Sequence, residues 1–272
     1  MFVAIDFGIS NTDLAVFNNG SVSFNSMPSQ SARIDNKSIK NILKEHDINF
    51  SKVKIIGVTG GKSSDLDDSV DGIDIVKVNE IDAIGLGAKK IYKIEDESSL
   101  VISAGTGTAC VHIQGFNFNH LGGIAVGGGM LEGLGSLLFK NSNGLEINEF
   151  AAQGSRAEID LLIGDVVNKI GNLSPEITAV NFGQAKNSLA DTMENTAAAL
   201  CNMVGEVIGT IAYLNALLVG SKKAYFIGRT SYLSEVINGI NERLDLAGIK
   251  GEYEKNREYG NVIGVLEQIK NL

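Results

Sequence analysis

Three apolar strands in this chain each run into a glycine turn: "IDFGISNTDLAV" (5–16), "VISAGTGTACVHI" (101–113) and "AYFIGRT" (224–230). The 272 residues include 32 Gly and only 2 Pro, a balance that favours tight turns and close backbone approaches over disordered linkers. One such turn carries little weight, because glycine turns are common. Three in this order are more specific, and they constrain what the strands around them can build. The second turn has two readings. It is an ordinary tight hairpin, or it is a loop in which Gly105 and Gly107 let an anion approach the backbone while Thr106 and Thr108 add hydroxyl donors.

The pattern between the turns alternates strands with helices. "FVAIDFG" and "TDLAVFNNGSVSF" read as strands, the latter a hairpin with NNGS at its turn. "NKSIKNILKEH" has helical spacing, with Ile39, Ile42 and Leu43 on one face. "VKIIGVTG" and "GIDIVKV" follow as strands, then "NEIDAIGLGAKKIY" as a helix and residues 101–113 as a hairpin. The order β-β-α-β-β-α-β-β predicts a mixed sheet with helices packed on it, in the α/β class. In the second half, a glycine-rich turn leads into a helix at about 130–139, and "EINEFAAQG" and "AEIDLLIGDVVNKI" read as helical. "SLADTMENTAAALCNMVGEVIGTIAYLNALL" reads as one long buried helix or two joined ones. "KKAYFIGRT" is a strand and turn, and the chain closes with helices at "YLSEVINGINERLDLAG" and "NVIGVLEQIKNL". The shift in pattern suggests a seam near residues 115–120.

A net charge of -9 disfavours nucleic acid as a partner. The two cysteines, Cys110 and Cys201, are far apart and form no metal or redox motif, so a reducing, cytoplasmic setting is the simplest reading. "MFVAIDFGIS" lacks the basic and apolar regions of a signal peptide. No apolar run is read as a membrane span; "IGTIAYLNALLVG" fits a buried helix better.

Asp6 closes the first strand directly before Phe7-Gly8, with Ser10 and Asn11 beyond. It is either a solvated strand-end carboxylate or a group that holds Mg²⁺ through water next to bound phosphates. The run "GGGMLEGLGSLL" places backbone N–H groups at a helix start, which suits an anion or close helix packing, and both can hold together. Glu80, at the start of its helix, is by itself no more than a carboxylate favoured by the helix dipole.

Taken together, the motifs resemble the type II pantothenate kinases, within the actin/hexokinase/Hsp70-like ATPases. The resemblance rests on "DFGISNTDLAV", "VTGGKS", "VNEIDA", "AGTGTA", "LGGIAVGGGMLEGLGSLL", "GSRAEIDL", "TAVNFG", "NMVGEVIGTIA" and "IGVLE", in family order over nearly the full length. It implies two ribonuclease-H-like domains with mixed five-stranded sheets flanked by helices and a nucleotide cleft between them. The expected division is 1–115, completed by the C-terminal helix 259–272, and 116–258, with a homodimer joined by the long helix near 185–218.

The implied reaction transfers the γ-phosphoryl of ATP, with Mg²⁺, to the primary hydroxyl of pantothenate, the entry step to coenzyme A. By the same resemblance Glu80 is the catalytic carboxylate that accepts the hydroxyl proton. Asp6, Gly8, Ser10 and Asn11 fall on the first phosphate loop, and Gly105, Thr106 and Gly107 on the second. Gly128, Gly129 and Met130 fall on the nucleotide-binding segment, Arg229 near the nucleoside, and His120 and Gly122 on the acceptor side.

Five positions depart from the family pattern. Asp13 stands where a basic residue is usual, His120 where an Arg is usual, Arg229 where a small Ser is usual, and Ile9-Ser10 replaces Gly-Thr. Two fixed positive charges are thereby lost from the expected site. The alternatives are a kinase for a related acceptor such as the neutral pantetheine, or a nucleotide- or coenzyme A-ligand-binding homologue.

Overall fold

The computed structural model describes residues 1–272 except 30–33, 62, 96–97, 169–173, 187–188 and 191. Lys62 of "VTGGKS" therefore lies outside the described residues, as do parts of 168–191.

The first half of the chain contains β1 (Phe2–Phe7), β2 (Asn11–Asn18), β3 (Ser21–Pro28), α1 (Asn36–Glu45), β4 (Ile55–Thr59), β5 (Ser69–Val70), β6 (Ile73–Lys77) and α2 (Glu80–Tyr92). Next come β7 (Ser99–Ala104), β8 (Thr108–Gln114), β9 (Asn117–Ile124), α3 (Gly128–Phe139), α4 (Gly144–Ala151), β10 (Leu161–Leu162), α5 (Ile163–Val166) and β11 (Thr178–Val180). The chain ends with α6 (Met193–Val219), β12 (Lys223–Ile227), α7 (Ser234–Asp245), β13 (Lys250–Glu252) and α8 (Gly260–Lys270).

Two mixed sheets repeat one scheme. The first runs β3-β2-β1-β4-β6-β5, with β1–β2–β3 antiparallel and β4 and β6 parallel to β1. The second runs β13-β12-β7-β8-β9, with β7–β8–β9 antiparallel and β12 and β13 parallel to β7. Each sheet thus opens with two hairpins and then adds parallel strands on the other side of its first strand. The short β5 gives the first sheet a sixth strand. Residues 99–114 belong to the second sheet, so the chain passes from one sheet to the other between α2 and β7.

Local signals explain most of the helices. Asp35 caps α1, its carboxylate accepting the Ser38 N–H at 2.9 Å, and Ile39, Ile42 and Leu43 turn inward. The long apolar stretch is one helix, α6, capped by Thr192 and stopped by Gly220 in the left-handed region. By length and composition α6 could cross a membrane, but most of it is buried in the protein. It forms the spine of the second core with Leu100, Ile102, Leu131, Phe226 and Val236.

The segment read as one helix from residue 157 forms instead the short β10 and α5, its residues 169 and 170 lying outside the described ones. Asp165 Oδ2 accepts the Leu162 N–H at 2.9 Å and Asp160 Oδ1 accepts the Phe182 N–H at 2.8 Å. The Asp165 bond caps the short α5, whereas the Asp160 bond ties the segment to the turn after β11, and Leu161–Leu162 pair with β11 instead of continuing a helix.

Helix α8 returns to the first sheet, where Val262, Val265, Leu266 and Ile269 pack on Ala4, Ala15 and Ala83. Its approach to α2 is close enough to require glycine. A Cβ on Gly87 would lie 1.8 Å from Gly260 O, and one on Gly264 would lie 1.9 Å from Ala83 O. Through Ile84 and Ala88, α2 also packs on Val101, Val111 and Ile227 of the second sheet. One helix therefore braces both sheets below the cleft between them.

Candidate active site

A cavity of about 920 Å³ lies between the two sheets. The first glycine turn enters it from β1 and β2. Gly8 is required by the turn, since a Cβ there would sit 2.6 Å from Asn11 O. Ser29 holds the turn, its hydroxyl donating to Gly8 O at 2.7 Å and its N–H to Ser10 O at 2.9 Å. The second turn, 105–107, comes from the β7–β8 hairpin and is closed by the Gly105 N–H donating to Gly107 O at 2.9 Å. The two loops touch where Ser10 Oγ lies 2.7 Å from Thr106 Oγ1. At Gly105 the fold does not demand glycine, because a Cβ there would meet nothing closer than Gly107 O at 4.0 Å.

The helix start behaves differently from a free anion site. The Gly128 N–H donates to Gly105 O at 2.8 Å and the Gly129 N–H to Thr106 O at 3.0 Å. These amides fix the second loop to α3, so the close-packing reading accounts for them. Likewise the Thr108 hydroxyl is not available to a ligand, because it donates to Val126 O at 2.7 Å. Gly128 and Gly129 line the cavity, as do Asp6, Gly8, Ser10, Asn11, Gly105, Thr106, Gly107, Glu80, His120 and Arg229. Gly122 and Met130 do not: Gly122 follows a bulge in β9, and Met130 packs on the second core.

Glu80 opens α2, exposed, beside the Asn79 cap whose side chain accepts the Ile81 N–H at 2.8 Å. It also lines a smaller opening of about 410 Å³ with Gly60, Ser63 and Lys77. Asp6 is 8% exposed at the end of β1, across the ladder from Asp13. Burial, and then the negative charges of Asp13 and Glu80, push its carboxyl up to about 7, against a hydrogen bond from Asn261 and the charge of Arg229.

Arg229 follows β12 and crosses the cleft to Asp13. Its Nη1–H donates to Oδ2 at 2.9 Å and its Nη2–H to Oδ1 at 2.6 Å. The next residue, Thr230, donates its hydroxyl to Gly105 O at 2.7 Å, tying this turn to the second loop.

Several lining residues escaped the sequence reading. Asn261 reaches Asp6 from α8, Ser26 binds Arg229, and Tyr232 lies beneath Arg257, whose guanidinium carbon is 3.5 Å from the ring centroid. Asn261 sits in a helix start at the far end of the chain, and nothing in a linear pattern joins it to residue 6.

Comparisons with known proteins agree with this architecture. The type II pantothenate kinase of Oceanobacillus iheyensis is 32% identical over 178 residues, covering 64% of this chain and 66% of that protein. That of Staphylococcus epidermidis is 29% identical over 226 residues, covering 80% of this chain and 85% of its own length. Among solved structures, a ROK family glucokinase from Streptomyces griseus, in complex with glucose and AMPPNP, superposes with a TM-score of 0.62. It has 12% identity and covers 100% of this chain and 99% of its own, so the likeness shows the fold alone. A family profile described as Fumble matches residues 88–237, more than half of the 272. The chain therefore belongs to the Fumble family of type II pantothenate kinases.

Proposed function

We propose that this chain is an ATP-dependent kinase that phosphorylates the primary hydroxyl of pantothenate, the first step of coenzyme A biosynthesis. The observation that carries the reading is the contact between two glycine loops at Ser10 and Thr106, with Glu80 on the wall of the same cavity. The empty space beside Gly105 supports it, because the fold leaves room for a ligand where it could have held a side chain. The triphosphate sits against the two loops, held by backbone N–H groups and the Ser10, Asn11 and Thr106 side chains. Glu80 accepts the proton of the acceptor hydroxyl as the phosphoryl group arrives. The acceptor enters past His120.

The cavity chemistry fits Mg²⁺. Asp6 is a buried carboxyl flanked by two more, Asp13 and Glu80, opposed by a hydrogen bond from Asn261 and the charge of Arg229. Asp6 would hold the ion through water; when bound, Mg²⁺ supplies charge neutralisation for the phosphates. The two sheets act as two lobes around the cleft, with α8 completing the first.

The same charge pattern favours a second acceptor. Among the described residues lining the cavity are five carboxylates and one guanidinium, and Asp13 already binds that guanidinium. A neutral relative such as pantetheine meets less repulsion here than the pantothenate anion.

We also propose a homodimer. Leu214, Leu217 and Leu218 are 50%, 57% and 74% exposed on one face of α6, and Leu137 and Leu138 are exposed on α3, which packs on α6. A second copy of this surface would cover them.

The decisive experiment measures ADP release by purified protein with Mg-ATP and each acceptor in turn. Turnover only with pantothenate or pantetheine supports the reading, and loss of turnover with retained nucleotide binding in Glu80→Gln supports the base. Acceptor-independent or absent ADP release overturns it.

A further inference from the structure

Asp13 on β2 of the first sheet and Arg229 in the turn after β12 of the second meet across the cleft in a two-pronged pair, with Arg229 Nη2 also donating to Ser26 Oγ at 2.8 Å. The partners are unequally placed: the Asp13 side chain is 6% exposed and that of Arg229 is 38% exposed. Both line the cavity, but the Asp13 carboxylate is nearly enclosed, whereas much of the Arg229 side chain is open to it. Arg229 is also the one Lys or Arg among the described residues that line this cavity. A single cation thus has two claimants, a buried carboxylate and any anion that enters. Stripping the guanidinium from Asp13 would leave a buried charge unpaired beside Asp6, which is costly.

We propose that Asp13 is an intramolecular competitor for Arg229, an autoinhibitory contact that withholds the cavity's guanidinium from a bound phosphate. The inference rests on the nucleotide reading above. Neutralising Asp13 frees Arg229 to reach the phosphates. Neutralising Arg229 leaves the Asp13 carboxylate facing them. The two changes break the same ion pair yet move affinity in opposite directions, whereas a purely structural bridge would weaken binding in both cases.

The test is titration calorimetry of the full chain with Mg-ATP and with adenosine, for wild type, Asp13→Asn, Arg229→Gln and the double variant. Asp13→Asn is expected to lower the Kd for ATP roughly tenfold, and Arg229→Gln to raise it by a similar factor. The double variant returns near wild type, and adenosine, which lacks phosphate, binds all four alike. Crystals of Asp13→Asn with AMPPNP should show the Arg229 guanidinium within hydrogen-bond distance of a phosphate oxygen. Asn is isosteric with Asp, and thermal melts check each fold; Asp13→Ser, with the same expected direction, serves if the Asn variant does not fold. Unchanged or weaker ATP binding in the Asp13 variant, or tightening without movement of Arg229, overturns the inference alone. A wild-type protein that binds no ATP overturns the nucleotide reading and this inference with it.

Discussion

Ser10 and Thr106 are 96 positions apart in sequence, yet their hydroxyl oxygens lie 2.7 Å from one another where the two glycine loops meet. The bond is exposed, so its contribution to stability is about 1 kcal/mol at most. Its value is positional. Thr106→Val is expected to raise KM for ATP roughly tenfold with little change in melting temperature. Steady-state kinetics alongside a thermal melt checks both halves, and an unchanged KM would remove Thr106 from the phosphate site.

Asp6 gives the unliganded protein a pH dependence. Its carboxyl rises from 3.8 to about 7 on folding, so the folded state holds the proton more tightly than the unfolded chain. That contribution favours folding below pH 3.8 and is lost as pH climbs to about 7. Asp6→Asn, which cannot ionise, is therefore expected to be more stable than wild type at pH 8 by about 2–4 kcal/mol, and equally stable near pH 4. Denaturant melts at the two pH values measure this. Turnover should be lost in the same variant, since the carboxylate that would hold the metal is gone.

The contact of α2 with α8 tolerates no added methyl group. Gly87→Ala would drive a Cβ to within 1.8 Å of Gly260 O, a backbone atom that cannot rotate away. A loss of about 2 kcal/mol or more is expected, and chemical denaturation reads it directly. Gly105→Ala makes the contrast, because the nearest atom would be 4.0 Å away. That change should leave stability within about 0.5 kcal/mol while impairing nucleotide binding.

Exposed leucines on α6 set the expectation for assembly. Leu217→Glu combined with Leu218→Glu places charge on residues that are 57% and 74% exposed, so the protomer should fold as before. Light scattering should then show a monomer where wild type gives a dimer. A wild type that is already monomeric would end the dimer proposal.

Much of this architecture was legible in the residues, for reasons that differ by element. The Ile39, Ile42 and Leu43 stripe and the Asp35 cap act locally, so α1 could be read directly. The glycine loops could be read because tight turns limit residue choice. The stretch around residues 159–162 could not, because its helical pattern yields to a strand pairing with β11 and to the bond from Phe182 N–H to Asp160, a partnership that linear spacing does not reveal. The site divides the same way. Asp6, Ser10 and Thr106 stand out by their place in the glycine turns, whereas Glu80 stands out only through the family resemblance. The union of Asp13 with Arg229 spans 216 positions and depends on how the two sheets face each other.

The placement of α8 also bears on how the protein is made. Its residues Val262, Val265 and Leu266 cover a sheet whose first strand begins at Phe2, so strands that leave the ribosome early are sealed by a helix that emerges much later. During synthesis the apolar face at Ala4 and Ala15 stays uncovered until α8 has emerged. Nascent chains of this protein should therefore engage chaperones through that face, and stop codons ahead of residue 260 should yield protease-sensitive products.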